Sequence, residues 1–478
     1  MRTLRSLQSA KRLKLIIALV IPSIILILPT SVFPFDGLTI IQQRVIALFF
    51  LAALFWVLEP IPIFATSVLL ITLELLLLSD SGLTWLQHPT DASFGTMLSY
   101  KEIMATFASP VILLFLGGFF LAEAASKYRL DQNIAGLLLP KFGKNPKMVL
   151  LGLMSLSAVF SMFMSNTATT AMMLAIIIPL LKTFPANDKS KIAFILGIPF
   201  AANLGGLGTP IGTPPNAIAL KFLSDAHLTF GKWMAFGVPI VLVMLVLCWL
   251  LMIAFFPSSA KEVNLSIKVD FLKTPKAKLV YLTFVITILL WLLDFAHGMN
   301  SYVVAMIPVC VFITTGVINK EDLKAISWDV LWLVSGGIAL GLALEKTGLA
   351  TLVIQSIPFD QFHPYTVFIC CSLIGLIMAN FMSHTATANL LLPLMATIGT
   401  SIVNMQQVGG SVYMVVATTF CISLGMSLPI SSPPNALANA TGLVQTKDMA
   451  KVGVLVGLIG WLLVLGMMTI LYLIDFLS

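Results

Sequence analysis

A short polar sequence is duplicated inside an otherwise apolar chain. Ser165-Asn166-Thr167-Ala168-Thr169 returns as Ser383-His384-Thr385-Ala386-Thr387. Two further signatures keep the same spacing, a diglycine at 117–118 and 336–337 and a Pro-Pro-Asn-Ala segment at 214–217 and 433–436. Corresponding positions are 218 or 219 residues apart, so the two halves are one unit duplicated with almost no slippage. Polar loops at matched positions of two hydrophobic halves are typical of the binding site of a transporter.

The composition places this duplicated unit in a membrane. Of the 478 residues, 59% are hydrophobic and only 10% are charged, whereas about a quarter of the residues of a soluble domain carry charge. Apolar runs of roughly 17 to 25 residues have the length that crosses a bilayer as a helix. The shorter, alternating segments of a barrel are absent. The sequence therefore predicts an all-α polytopic membrane protein, with the lipid bilayer as its surroundings.

The net charge of +7 does not indicate a nucleic-acid partner. The basic residues lie between hydrophobic segments and not in one patch with aromatic residues, as the positive-inside rule explains. The five cysteines lie within apolar stretches without metal-ligand spacing, which indicates packing.

The N-terminus resembles a secretory signal, because basic residues precede the apolar run at 15–28. No small-residue cleavage site follows it. We therefore predict an uncleaved first transmembrane helix with its N-terminus in the cytoplasm.

The apolar runs predict about eleven transmembrane helices in four parts. The parts are an N-terminal helix within 1–36, a first repeat over 37–257, a cytoplasmic linker over 258–278 and a second repeat over 279–478. The expected helices cover 15–32, 42–58, 62–79, 110–125, 192–204 resuming at 216, 236–256, 279–295, 302–318, 328–344, 411–442 and 452–474. Amphipathic stretches at 127–147 and 346–362 suit helices that lie in the membrane interface.

Two segments are predicted to be re-entrant hairpins. A straight helix over 148–182 or 365–398 would bury a polar tip, 165–167 or 383–385, at mid-membrane. Irregular backbone at that depth is tolerated only against protein or a water-filled cavity.

Helices 5 and 10 are predicted to be discontinuous. Glycine and proline interrupt helix 5 at 205–215, and proline interrupts helix 10 at 428–434. Five crossings separate the hairpins, so the second repeat is inverted and the two tips meet near the midplane. With the N-terminus inside, 22 of the 27 Lys and Arg residues fall on the cytoplasmic side.

The tips and breaks predict a site for a small anion with a cation beside it. Half-helix N-termini attract anions, while carbonyl and hydroxyl oxygens bind Na⁺. Intramembrane carboxylates are a second set of candidates: Glu59, Glu74, Glu123, Asp294 and Glu345. Several of them lie near predicted helix ends, where an interfacial or salt-bridged role is favoured, and Glu74 is the most deeply placed.

On these motifs the chain resembles the divalent anion/sodium symporter family of dicarboxylate transporters over essentially its whole length. The resemblance implies a homodimer in which a mobile transport part moves against a scaffold part by an elevator motion. The substrates that it implies are succinate, malate, fumarate, 2-oxoglutarate, citrate and, in some branches, sulfate. The substrate-binding residues that it implies are Ser165, Asn166, Thr167, Thr213, Ser383, His384, Thr385, Ser432 and Pro433. A sodium site is implied at Ser161, Ser165, Asn166 and Gly212.

His384 departs from the family pattern, which has asparagine at this position. A protonated imidazole would put a positive charge where Na⁺ would lie. Such a fixed cation would hinder the return of the empty carrier, which favours exchange of one dianion for another without a sodium gradient. If a neutral His384 only replaces asparagine as a polar contact, sodium-coupled symport persists.

Together these features predict a secondary transporter of C4 or C5 dicarboxylates in a bacterial-type plasma membrane. An anion channel is a remote alternative, and its flux would be independent of counter-substrate. An enzyme is disfavoured because no base or metal ligand accompanies any serine, and no cofactor other than Na⁺ is expected.

Overall fold

The computed structural model describes residues 2–87, 93–181, 184–185, 187–223, 228–260, 262–263, 269–358 and 361–477. These residues form helices and the turns that join them. The β-type pairing within this part of the chain is a single isolated bridge between Ser79 and Leu98. The prediction of an all-α fold is confirmed.

The helices of the two repeats follow one another in the same order. The first part of the chain contains α1 (Arg2–Ile27), α2 (Ile40–Leu58), α3 (Ile63–Leu77), α4 (Tyr100–Ala105), α5 (Pro110–Lys127), α6 (Leu130–Leu138), α7 (Pro146–Phe163), α8 (Asn166–Leu181), α9 (Ser190–Gly206), α10 (Pro214–Lys221) and α11 (Phe230–Phe255). The second part contains α12 (Pro275–Leu292), α13 (Asp294–His297), α14 (Ser301–Thr314), α15 (Asp322–Ala325), α16 (Trp328–Lys346), α17 (Leu349–Gln355), α18 (Pro364–Phe381), α19 (His384–Ser401), α20 (Gly410–Ser423), α21 (Pro433–Ala440) and α22 (Thr446–Leu473).

Eight helical stretches of the described residues are long and apolar enough to cross a bilayer: α2, α4 continued into α5 (Tyr100–Lys127), α7, α11, α12, α16, α18 and α22. The apolar helices α3, α8, α9, α14 and α20 are shorter. This was expected for α8, α9 and α20, which belong to a hairpin and to the interrupted helices, whereas α3 and α14 are shorter than the spans predicted at 62–79 and 302–318. The total of eleven spans stays a prediction.

Several helix ends differ from the sequence-based boundaries, and two of the differences have a local cause. The first helix was expected to reach residue 32 but ends at Ile27, because a residue that precedes proline, here Leu28 before Pro29, is disfavoured in helical geometry. The helix expected from residue 236 begins at Phe230. Its start is set by Thr229, whose side chain accepts a hydrogen bond from the Lys232 amide at 3.1 Å.

Both amphipathic stretches begin with the same backbone turn. α5 ends at Lys127 and α6 starts after Arg129, whose φ is +57°; α16 ends at Lys346 and α17 starts after Gly348, whose φ is +70°. These two left-handed residues are 219 positions apart. The duplication therefore extends to the local backbone. In the first repeat the left-handed position is occupied by Arg129, which is less suited to this conformation than glycine.

Helices of each repeat pack against helices of the other repeat. α5 packs against α14 of the second repeat, and α16 packs against α3 of the first. The diglycines lie at these crossings: a Cβ on Gly117 would overlap Ala305, and one on Gly336 would overlap Ser67. The second glycine of each pair faces other elements, Gly118 against Ile211 in the helix 5 break and Gly337 against Asn389 in α19.

The polar contacts between loops join segments that the charge distribution places on one face. On the predicted cytoplasmic side, Lys127 pairs with Asp322 at 2.5 Å, and the Asp188 carboxylate accepts hydrogen bonds from Ser259 at 3.0 Å. On the opposite side, Lys346 pairs with Glu102 at 3.4 Å.

Asp188 holds the loop before α9 against the start of the linker. Burial raises its pKa, but hydrogen bonds from Ser190 and Ser259 outweigh that effect and hold the pKa at about 2.

Candidate functional site

The hairpin tips and the helix breaks enclose one cavity of about 310 Å³. All nine residues predicted to bind substrate line it: Ser165, Asn166, Thr167, Thr213, Ser383, His384, Thr385, Ser432 and Pro433. The structure therefore brings together positions that are more than 200 residues apart in the chain. Whether these side chains bind a substrate stays a prediction.

Each tip ends in the N-terminus of a helix. α7 ends at Phe163 and α8 begins at Asn166; α18 ends at Phe381 and α19 begins at His384. The residue after the first helix, Met164 or Met382, is extended in both hairpins, so the chain reverses within two residues.

The breaks in helices 5 and 10 add two further helix N-termini. α10 begins at Pro214 and α21 at Pro433, in each case after an extended residue, Thr213 or Ser432. The proline at the first helical position loses no hydrogen bond, because that N–H has no partner in the helix. Four helix N-termini, those of α8, α10, α19 and α21, therefore have their first residues or caps on the cavity wall.

The asparagines of the two Pro-Pro-Asn-Ala segments tie the breaks together and do not line the cavity. Asn216 donates from Nδ2 to the carbonyls of Gly206 at 3.0 Å and Thr209 at 2.8 Å. Asn435 donates to the carbonyls of Met426 at 2.9 Å and Leu428 at 3.2 Å. Both side chains are fully buried, and they pair carbonyls that the interrupted helix leaves without a partner.

The first-repeat tip carries oxygen atoms of the kind that Na⁺ prefers. Ser161 is buried and donates a hydrogen bond to Oδ1 of Asn166. A Cβ on Gly206 would lie 2.9 Å from both Nδ2 of Asn166 and the Gly212 carbonyl oxygen, so these groups are neighbours. Hydroxyl, carboxamide and carbonyl oxygens at a helix end fit a sodium ion. Of the four residues implied for the site, Ser161, Asn166 and Gly212 lie side by side in this way, and Ser165 adjoins them on the cavity wall.

The second-repeat tip is different at two of the equivalent positions. Ala379 stands where the first repeat has Ser161, and His384 where it has Asn166. Nε2 of His384 lies 2.7 Å from the carbonyl oxygen of Gly425, the equivalent of Gly206. Because a carbonyl only accepts, Nε2 carries the proton in this contact. The imidazole N–H thus occupies a carbonyl that would otherwise be free to coordinate a cation.

The cavity wall also contains polar side chains that were not predicted from the sequence, among them Asn203 and Asp329. Asn203 donates to Ser432 Oγ at 3.0 Å and to Asn435 Oδ1 at 3.1 Å, so it joins α9 to the opposite repeat. The sequence signal that could have identified Asn203 is its position as a polar residue just before the break at 205–215. Asp329 lies in the first turn of α16, where an acidic residue is common and indicates no site by itself.

The cavity opens where α3 and α16 begin. Its wall includes Ile63 and Phe64 from α3 and Asp329 and Val330 from α16. Phe64 is 41% exposed and Asp329 is also exposed. No lysine or arginine lies among the described residues that line it, so helix ends and hydroxyls supply the polar groups.

The predicted intramembrane carboxylates lie outside this cavity. Glu59 caps the end of α2, and Asp294, the first residue of α13, accepts a hydrogen bond from the Gly231 amide at 3.2 Å. Glu123 is half-buried near the end of α5.

Glu74, Lys221 and Glu345 form a second charged cluster. Glu74 is fully buried, and neither carboxyl oxygen has a hydrogen-bond partner among the described residues. Lys221 interacts electrostatically with both acids and donates to the Ile338 carbonyl of α16 at 2.8 Å. Lys221 and Glu345 also line a separate polar cavity of about 210 Å³.

Sequence comparison relates the chain to known transporters. A family model described as "Citrate transporter" matches residues 53–419. A sodium-dependent dicarboxylate transporter of Staphylococcus saprophyticus is 29% identical, with 93% of this chain and 89% of that protein covered. An uncharacterized transporter of Schizosaccharomyces pombe is 31% identical, with 89% of this chain covered. The chain spans 49% of the length of that yeast relative.

Structure comparison gives the same fold. The crystal structure of the Alcanivorax borkumensis YdaH transporter superposes with a TM-score of 0.52 over 90% of this chain and 98% of that one. The identity between the two sequences is 14%, so the likeness concerns the fold alone.

Proposed function

This chain belongs to the citrate transporter family, and we propose that it is a secondary transporter of C4 and C5 dicarboxylates such as succinate, malate, fumarate and 2-oxoglutarate. The observation that carries the proposal is the cavity in which four helix N-termini and the hydroxyls of both tips converge, with no lysine or arginine among the described residues that line it. Dipoles and hydroxyl donors stabilise carboxylates there. The name of the Staphylococcus saprophyticus relative, a dicarboxylate transporter, supports this substrate class.

The two repeats suggest one set of donors for each end of a dicarboxylate. Asn166, Thr167 and Thr213 come from the first repeat, and Ser383, Thr385 and Ser432 from the second. Because the repeats are inverted, the two sets face each other across the cavity. A molecule with a carboxylate at each end satisfies both.

We favour sodium-independent exchange as the transport mode. His384 uses its N–H on the Gly425 carbonyl, and Ala379 offers no oxygen, so the second tip lacks the ligands that the first tip retains. A protonated imidazole there would balance one charge of the dianion. An empty carrier would then have to release that proton or keep an uncompensated buried charge, and either would slow its return.

Sodium-coupled symport is the second candidate. It is favoured by the group formed by Ser161, Asn166 and Gly212 at the first tip, and by the sodium dependence in the name of the Staphylococcus saprophyticus relative. A symporter that carries one Na⁺ at the first tip and none at the second would account both for the oxygen ligands of the first tip and for their loss at the second.

The proposal includes an elevator motion in a homodimer of the plasma membrane, with the N-terminus in the cytoplasm. The hairpins α7–α8 and α18–α19 with the interrupted helices α9–α10 and α20–α21 would be the mobile part. The cavity opens at the side assigned to the cytoplasm, so the structure would represent an inward-facing state.

Substrate binding by purified protein tests the site assignment. Asn166→Ala and Thr385→Ala should each weaken succinate binding at least tenfold while the protein remains folded, because each removes a donor from one side of the cavity. Thr469→Ala is the matched control, since Thr469 is exposed on α22 and bonds only to the Leu465 carbonyl. Unchanged binding in both cavity variants would refute the assignment.

A further inference from the structure

The cavity contains one full charge besides the ionisable His384, and that charge has the wrong sign for an anion. Asp329 is the acidic residue among the described residues that line the cavity, and no lysine or arginine is among them. Carboxylates that line a site usually attract cations. Here the wall opposite is built from helix N-termini and hydroxyls that suit a carboxylate substrate.

The duplication shows that Asp329 is not required by the shared fold. Its equivalent 219 positions earlier is Pro110, the first residue of α5. α5 therefore starts at the matched place without an acid. The second repeat has a charge where the first has none, and only the second repeat brings this position to the cavity mouth.

On the basis of the proposed dicarboxylate function, we propose that Asp329 determines substrate charge: it admits dianions and disfavours trianions such as fully ionised citrate. The cavity is open on one side, so the few additional atoms of a tricarboxylate are not excluded by size. The hydroxyls and helix ends of the two tips bind two carboxylates. A third carboxylate has to lie near the open side, where Asp329 is.

The size of the effect follows from the dimensions of the cavity. A sphere of about 310 Å³ is about 8 Å across, so any charge inside lies within about 8 Å of the Asp329 carboxylate. At that distance Coulomb repulsion lowers affinity about 2-fold per substrate charge in a water-like medium, and about 30-fold at an effective dielectric of about 20. Because Asp329 is exposed, the lower part of this range applies, about 2- to 5-fold for the third carboxylate.

Competition binding with two substrates of different charge is the test. Full-length protein in nanodiscs is incubated with labelled succinate, and unlabelled succinate or citrate displaces it at about pH 8, where citrate is a trianion. Asp329→Asn should strengthen citrate binding by about 2- to 5-fold more than it does succinate binding, and Asp329→Lys should increase this ratio further. The difference should shrink at high salt, because exposed charges are screened.

Two controls separate charge from structure. Asp329→Glu should keep the wild-type ratio. Glu321→Gln removes one negative charge near the same face but outside the cavity, where Glu321 pairs with Lys324, and should leave the ratio unchanged. A role of Asp329 in capping α16 would alter stability and both affinities together, not their ratio.

The proposal is overturned if Asp329→Asn leaves the citrate-to-succinate ratio unchanged, or if it weakens binding of both substrates as the loss of a cation ligand would. A protein that binds neither substrate in the wild-type form would instead refute the dicarboxylate function itself.

Discussion

The second hairpin tip can be converted into the likeness of the first. The double substitution Ala379→Ser with His384→Asn restores the residue types found at Ser161 and Asn166. It also removes the imidazole N–H from the Gly425 carbonyl. If the imidazole has replaced a cation, the double variant should regain a sodium response that the wild-type tip lacks.

The expected magnitude can be worked out for each condition. Without sodium, the variant leaves the buried Gly425 carbonyl without its donor, and an unsatisfied buried acceptor costs about 1–3 kcal/mol. With sodium at about 100 times its dissociation constant, binding to the folded state returns about 2.7 kcal/mol. The variant should therefore be less stable than wild type in choline and about as stable in sodium.

Thermal unfolding in detergent measures this difference. The unfolding temperature of the variant should rise when sodium replaces choline at constant ionic strength. Placing both substitutions in a Ser161→Ala background removes the contribution of the first tip and should leave the new response in place. If sodium raises the unfolding temperature of the variant no more than that of wild type, His384 does not replace a bound cation, and the argument for exchange fails.

Three further predictions follow from the packing. Lys221→Met should destabilise the protein by about 1–3 kcal/mol, because the Ile338 carbonyl loses its hydrogen bond from the Lys221 ammonium and the buried Glu74 loses a nearby positive charge; Glu74→Gln in the same chain should recover part of that thermal stability, whereas a double variant as unstable as the single one would contradict the coupling. Gly337→Ala should lower transport and stability because its methyl group would overlap Asn389, while Gly466→Ala, with open space around it in α22, should be neutral in both assays. Asp188→Asn should lower stability by about 1 kcal/mol after allowance for solvent screening. The pKa of Asp188 is held at about 2, so its contribution to stability is fully present above the unfolded pKa near 3.9 and is lost as pH falls through about 2. In thermal unfolding, the stability difference between Asp188→Asn and wild type should therefore be constant between about pH 5 and pH 8. A difference that varied across that range would contradict the assignment.

The duplication made much of the architecture readable from the sequence. Polar tips, glycine and proline breaks and the 219-residue offset each left a local signal, and the structure has helix ends at 163–166, 206–214, 381–384 and 423–433 accordingly. The start of α11 after its N-cap Thr229 was predicted too late, because the apolar run begins several residues after the helix does.

The contacts between distant segments could not be read from the sequence. The Pro-Pro-Asn-Ala motif gave no sign that its asparagines, Asn216 and Asn435, bond backbone carbonyls across the breaks. Asp329 lies in the first turn of α16, and its place on the cavity wall depends on the tertiary fold. Lys221 is one of the five basic residues outside the predicted cytoplasmic segments, and only the structure shows that it donates a hydrogen bond to the Ile338 carbonyl.

The most direct test of the account is succinate uptake into proteoliposomes, with and without internal succinate or 2-oxoglutarate and with and without a sodium gradient. The account predicts uptake that requires an internal dicarboxylate and does not respond to sodium. Sodium-driven uptake into empty vesicles would contradict exchange and leave His384 as a polar contact in a symporter, and the absence of any dicarboxylate uptake under all four conditions would contradict the proposed function.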